Sequence, residues 1–388
     1  MTACQRERRW IADLIRELVE AESPSTDRAP LEHCASIWAA RAAAAGAEVS
    51  RVPAVTTADH VLATWPGDGS PVLLIGHFDT VWPVGQIERM PIRETDGRLF
   101  GPGIFDMKAG LAIALLAVRA LVETRDRGAR PQVQFLATSD EEVGSPTSRV
   151  LIESLARASS AVLVLEPALA TGAVKTSRKG VGEFEVTAHG VAAHAGVDPG
   201  AGASAIHELA RQILALEALN DPTRGLSVNV GRVEGGTRSN VVAEQARAIV
   251  DVRVSRLADA PAIEARINDL TAHDPRVRLE VRGAINRPPM ERTAGVAALF
   301  ELAREVARDI GFELQEGTTG GASDGNFTAA LGVATLDGLG ATGDGAHALH
   351  EHVIVDDLPV RAALVAGLLA RLAPRRAERA NAIIGSTR

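Results

Sequence analysis

Over residues 6–22, Trp10, Ile11, Leu14, Ile15, Leu18 and Val19 recur at the spacing that places them on one helical face, and "SPS" at 23–25 ends the pattern. A second helix is predicted from Pro30, suited to a first turn, through an alanine-rich stretch to Gly46 as its C-terminal cap. Strand-like runs follow at 47–52, 60–65 and 72–76, with "PGDG" at 66–69 as a turn. The pattern then reads helix 108–124, strand 132–138, helix 146–157 and strand 161–166. Near-continuous apolar strands alternating with helices predict an α/β layer around a mainly parallel or mixed sheet.

Residues 180–285 change character. Alternating "GEFEVTAHG", helix 203–218, strands 226–231 and 247–254, helix 259–271 and strand "VRLEVRG" give the β-α-β-β-α-β order of a ferredoxin-like unit. The tail returns to α/β, with a helix at 293–310, a strand at 332–336 and a last helix at 356–372. The expected organisation is one α/β domain from 1–178 and 287–388, interrupted by an inserted domain at 179–286, with no repeat or low-complexity linker.

Composition narrows the class. The 388 residues are 46% apolar and 23% charged, as in a globular protein with a sizeable core. A net charge of −8 argues against general nucleic-acid binding. Two cysteines, Cys4 in an N-terminal segment expected to be mobile and Cys34, make neither a disulfide framework nor a thiolate metal site. No apolar leader and no run of 18 apolar residues is present, so the chain reads as cytoplasmic without membrane spans.

The polar residues that stand out sit where strands end. His77 and Asp79 follow strand 72–76, with Gly76 read as the point where the backbone leaves the sheet. Asp106 precedes a helix, Glu141 and Glu142 follow strand 132–138, Glu166 ends strand 161–165, and His350 precedes the last helix. A lone histidine at a strand end is often only a hydrogen-bonded structural residue, and adjacent acids are usually a solvated face. Taken as a set, imidazoles and carboxylates without thiolates suit zinc or a similar divalent ion, and open α/β sheets gather strand ends into one crevice. Side chains at i and i+2 of an extended segment share a side, so Asp79 lies beside His77, whereas the neighbours Glu141 and Glu142 point apart and can do different work.

"GHFDTVWP", "LFGPGIFDMKAG", "TSDEEVGS", "LEP" and "ALHEHV", in this order, resemble the zinc-dependent exopeptidase and aminoacylase family, nearest its bacterial glutamate carboxypeptidase branch. The resemblance covers nearly the whole chain and implies a three-layer catalytic domain with an inserted dimerisation or lid domain. It implies two Zn2+ ions, with Co2+ or Mn2+ also open: one held by His77, Asp106 and Glu166, the other by Asp106, Glu142 and His350. Glu141 would be the general base and Asp79 the partner of His77. "AAHAG" places His194 where the family has an oxyanion-stabilising histidine that reaches the other subunit of a homodimer. Asn240, Arg253, Arg287 and the loop with Gly320 and Gly321 match positions that bind a substrate's terminal carboxylate, which an arginine fork grips bidentately. Met107, Ala109 and Ser323 depart from the branch, which leaves side-chain preference open.

The expected activity is therefore two-metal hydrolysis of the amide to a C-terminal amino acid such as glutamate, in a peptide or N-acyl substrate. An N-acyl-amino-acid amidohydrolase, a dipeptidase or a desuccinylase fits the same site. A non-catalytic metal-binding and dimerisation protein on a retired fold is the reading from a different class, and acyl transfer to an amine at the same site is a further option. The intact set of Glu141 and ligands stands against the retired fold.

Overall fold

A computed structural model describes residues 4, 6–125 and 130–373. Residues 374–388 of the expected second catalytic segment lie outside the described residues. The chain forms two compact units: one from the residues up to Ser177, Arg292–Thr319 and the residues from Ser323 on, the other from Arg178–Glu291 and Gly320–Ala322.

In chain order the first unit opens with α1 (Arg8–Glu20), α2 (Arg28–Ala44), β1 (Glu48–Val52), β2 (His60–Trp65), β3 (Asp68–His77), α3 (Ala109–Thr124), β4 (Pro131–Thr138), α4 (Arg149–Ala158) and β5 (Ala161–Val164). The second unit supplies β6 (Gly180–His189), α5 (Ala205–Glu217), β7 (Ser227–Gly235), β8 (Gln245–Val254), α6 (Ala260–Asn268) and β9 (Arg278–Arg287). The first unit then closes with α7 (Ala294–Ile310), β10 (Thr335–Leu336) and α8 (Leu358–Arg371).

The main sheet has the order β1-β2-β4-β3-β5-β10, parallel among β4, β3, β5 and β10 and antiparallel at the β1 and β2 edge. Its central strands β3 and β5 carry runs buried on both faces, Val72–Ile75 and Ala161–Val164, and consecutive residues separate accordingly. Val72 and Leu74 enter one hydrophobic cluster with α1, α2, α3, α7 and α8, while Leu73 and Ile75 enter another with Ile152, Ala156 and Phe327. Two covered faces make three layers. Helix α3 is apolar all round, as its place among α1, α8 and β3 requires. Gly110 in that helix is a close approach: a Cβ there would stand 2.0 Å from the Leu165 carbonyl oxygen, so only glycine lets α3 start against the end of β5.

Three local expectations change. Strand β3 begins at Asp68, inside the expected "PGDG" turn, because Asp68 already pairs with Pro131 across an irregularity in register. Cys4 is buried in the main core, and both cysteines are free thiols. A small sheet of Arg93–Thr95, Arg98–Phe100, Gly343–Asp344 and His352–Ile354 appears where strands of two or three residues are too short to show a period.

The second unit is an antiparallel sheet in the order β7-β8-β6-β9, and its β-α-β-β-α-β chain order is ferredoxin-like. Ala246, Ala248, Val250, Val252 and Val254 alternate into its core. Among the described residues of both units, no helix is long and apolar enough to cross a membrane.

Glu208 ties this unit's helical layer together. It is fully buried on α5 and accepts hydrogen bonds from Gln212 Nε2 at 2.7 Å, from the His273 and Asp274 backbone N–H groups at 3.0 and 3.2 Å, and from His273 Nδ1 at 3.1 Å. Burial raises its pKa, but these donors outweigh burial and hold it down at about 2. A folded-state pKa below the unfolded value near 4.5 stabilises the fold above that value, and the contribution fades as pH falls from about 4.5 to about 2. Glu208→Gln is expected to lose ~2 kcal/mol at pH 7 and markedly less at pH ~3, measured by urea unfolding at both pH values.

Candidate metal centre

The chemistry gathers at the carboxyl ends of β3, β4 and β5, all within the first unit. Gly76 stays in the strand, paired with Ala137, and does not turn the chain out of the sheet as expected. Its missing side chain instead admits Met107, whose Cε would lie 2.8 Å from a Cβ at this position and whose Sδ accepts the His77 backbone N–H at 3.3 Å. The departure at Met107 thus serves packing beneath His77.

His77 Nδ1 stands 3.0 Å from the Asp79 carbonyl and 3.4 Å from Asp79 Oδ1. Nδ1–H therefore faces Asp79 and Nε2 faces inward, the orientation a metal-ligating imidazole needs. Nε2 is buried without a hydrogen-bond partner, yet lies 3.3 Å from Asp106 Oδ1, 3.5 Å from Glu166 Oε1 and 4.0 Å from Glu141 Oε2. Burial lowers the His77 pKa, but the carboxylates of Asp106, Asp79 and Glu166 prevail and hold it well above the ordinary histidine value.

Asp79 does more than orient His77. Oδ1 accepts the Glu141 backbone N–H at 3.2 Å, and Oδ2 accepts the Glu142 N–H at 3.1 Å and Ser25 Oγ–H at 2.7 Å. The fully buried Asp79 therefore pins the turn Glu141–Val143 to the end of β3. Ser25 was not singled out from the sequence. The "SPS" segment that reads as a helix stop lies alongside Thr80, with Ser25 N–H donating to the Thr80 carbonyl at 3.1 Å and Thr80 N–H to that of Ser23 at 2.8 Å.

Asp106 faces two imidazoles with different oxygens. Oδ1 lies toward His77, and Oδ2 is 3.5 Å from Nε2 of His347, which also meets Glu142 Oε2 at 3.2 Å. His350, the expected second imidazole, is exposed like His347 but pairs with no carboxylate among the described residues, and its carbonyl accepts from His352 Nδ1 at 2.9 Å. The correction has a backbone cause: Gly345 and His347 adopt left-handed conformations, φ 84° and 60°, which curl the loop and send His347 toward Asp106. The sequence carried a signal only as a second histidine in "GAHALHEH", whose curl no periodicity reveals. The hydrogen bond to Glu142 raises the His347 pKa to about 9, and burial keeps the Glu142 carboxyl above its usual range.

Two sets of donors converge closely enough for an ion: His77, Asp106 and Glu142, and His77, Glu141 and Glu166. An orphaned buried imidazole nitrogen among clustered carboxylates fits divalent metal, since positive charge at that point satisfies the nitrogen and offsets the crowded anions.

The second unit holds the other expected residues. His194 is exposed, and its Nδ1 accepts the Gly196 and Val197 N–H groups at 3.1 Å each, leaving Nε2–H directed outward as a donor. His194 forms a bridge with Val241, and the Asn240 carbonyl accepts from Ala195 N–H at 3.0 Å, so His194 and Asn240 share one loop pair. Arg253 is engaged by its own strand: Nε and Nη2 each sit 2.8 Å from an Asp251 oxygen, and Nη1 reaches the Gly320 carbonyl at 3.3 Å. Its fork is thus spent on Asp251. Arg287 is buried at the end of β9, and the Gly321 carbonyl accepts from Arg178 at 3.3 Å.

Comparison with known proteins identifies the family. Residues 73–371 match the model of peptidase family M20/M25/M40. Carboxypeptidase G2 of Pseudomonas sp. (strain RS-16) is 30% identical over 329 residues, 82% of this chain and 78% of that protein. Succinyl-diaminopimelate desuccinylase of Ectopseudomonas mendocina is 29% identical over 349 residues, 84% of this chain and 89% of its own. The fold resembles that of the aminopeptidase PepT from Bacillus cereus, with TM-score 0.80, 24% identity, and 95% of this chain and 99% of that one covered. The chain belongs to peptidase family M20/M25/M40 and is a hydrolytic enzyme of that family.

Proposed function

We propose that the protein is a two-metal hydrolase that releases a C-terminal amino acid, glutamate or a similar small residue, from a peptidyl or N-acyl substrate. The observation that carries this reading is the Asp106 carboxylate, with one oxygen toward His77 and the other toward His347. His77, Asp106 and Glu166 would hold one ion, and Asp106, Glu142 and His347 the other. When bound, such a pair lowers the pKa of water to about 7 and polarises a scissile carbonyl.

The chain's own residues supply the rest. Glu141 is held by its backbone N–H on Asp79 and takes the proton of the attacking water, then passes it to the leaving amine. The outward Nε2–H of His194 suits an oxyanion. Asn240, Arg287 and the loop of Gly320 and Gly321 are the candidates for gripping the terminal carboxylate. Carboxypeptidase G2 supports removal of a C-terminal residue, while the desuccinylase likeness keeps an N-acyl substrate in view. Two buried free thiols accord with a reducing, cytoplasmic setting, and a homodimer completes the reading.

The test is a screen of N-acyl amino acids and dipeptides with Zn2+, Co2+ or Mn2+ restored to chelated enzyme. Release of C-terminal glutamate or a similar residue is expected, and no release with metal bound overturns the proposal. Glu141→Gln is expected to keep both ions and lower kcat by about 10²–10⁴. His347→Ala is expected to lose one equivalent of metal by elemental analysis, whereas His350→Ala keeps both ions and stays within about twofold of wild-type activity.

The pH dependence has a definite sign. His347 is protonated below about 9 in the metal-free protein, and only neutral imidazole binds an ion. At pH 7, filling its position should release about one proton from this side chain, and affinity there should fall about tenfold per unit as pH drops below about 9. Calorimetric titration in buffers of different ionisation enthalpy measures both.

A further inference from the structure

Glu351 stands four residues after His347 and is 1% exposed, although no step assigned above uses it. Its Oε1 accepts the backbone N–H groups of Phe105 and Asp106, at 2.9 and 3.1 Å. Its Oε2 accepts Gly103 N–H at 2.9 Å and the indole N–H of Trp82 at 2.8 Å. One carboxylate thus joins the loop that carries Asp106, the loop that follows Asp79 and the loop that carries His347.

The backbone around Glu351 makes this a fixed anchor. Its carbonyl accepts Gly101 N–H at 3.4 Å, and the next residue, His352, pairs with Phe100 in the small antiparallel sheet. On the other side the chain curls back through Ala348 N–H to the Gly345 carbonyl and Glu351 N–H to the Ala348 carbonyl, at 2.8 and 3.0 Å. His347 therefore hangs on a short curl whose end is fastened to the Asp106 segment. His77 and Glu166 belong to β3 and the end of β5, which the central sheet fixes by itself.

We propose that Glu351 is a positioning residue that sets the register between His347 and Asp106, and so governs the affinity of the metal position that His347 serves more strongly than that of the His77–Glu166 position, which shares Asp106 but takes its other two donors from the central sheet. The proposal rests on the two-metal reading. Glu351→Gln keeps shape and volume but turns half of an acceptor pair into a donor facing N–H groups, which loosens the fastening without opening a cavity.

The test titrates the metal-free full-length enzyme with Zn2+ against a chelating indicator and with Co2+ followed by its visible absorption. Wild type is expected to take up two ions. Glu351→Gln is expected to weaken one binding constant by about 10–100-fold and to change the other by less than about threefold, with the Co2+ spectrum of one site altered. Should that variant not fold, Glu351→Asp decides, because it keeps the charge but draws it back from the N–H groups; a selective loss of about 3–10-fold is expected there. Unchanged constants, or equal weakening of both together with a lower melting temperature of the metal-free protein, overturn the positioning role. Wild type that binds fewer than two ions instead overturns the two-metal reading, and this proposal with it.

Discussion

Everything at this centre depends on one electrostatic constraint. Asp79, Asp106, Glu141, Glu142 and Glu166 crowd around His77 at the end of a sheet whose interior is apolar. Buried carboxylates repel one another and lose hydration, and imidazolium formation at His77 and His347 is only a partial answer. The central sheet and α3 hold the donors in place regardless, because their rigidity comes from packing remote from the charge. The fold thus stores a site that positive charge completes, which is how a protein prepares a metal centre.

Much of this was legible in the sequence, for identifiable reasons. Strands with continuous apolar runs and a helix apolar all round announce a covered sheet, so the carboxyl ends of β3, β4 and β5 were the expected location. His77, Asp106, Glu141, Glu142 and Glu166 all stand there because each lies within a few residues of a strand or helix terminus, which sequence patterning locates. His347 escaped because it sits in an irregular loop whose direction depends on left-handed residues at 345 and 347. Between two histidines three residues apart, no periodicity decides. Ser25 escaped for a related reason: its contact with Asp79 joins segments 54 residues apart in the chain. The inserted unit was readable as topology, while the capture of Arg253 by Asp251 was not, because a strand's alternation gives a side and not a partner.

The two units divide their polar chemistry differently. In the second unit, exposed strand faces carry arginine and glutamate pairs such as Arg247 with Glu185 and Glu234, open to solvent and of small energetic weight. In the first unit the polar groups beneath the centre are buried and joined: Asp140 accepts from Thr147 and Ser148, and Ser145 donates to Asp324. Buried polar networks are worth their desolvation only when satisfied, and then they rigidify. Rigidity is thus concentrated under the turn that carries Glu141 and Glu142.

Asp79 shows what that rigidity is for. A carboxylate that only oriented His77 would need one hydrogen bond, but Asp79 also holds the backbone N–H groups of both glutamates. The residue that fixes an imidazole therefore fixes the turn that carries Glu141 at the same time. The distance from His77 Nε2 to the Glu141 carboxylate becomes a property of one buried side chain and not of two independent loops. Proton transfer falls steeply with misplacement on the scale of an ångström, so joining His77 and Glu141, the proposed ligand and base, through one acceptor removes a degree of freedom that the proposed catalysis cannot tolerate. Ser25 completes the arrangement from the N-terminal segment, giving Asp79 a third donor and preventing its rotation away from either duty.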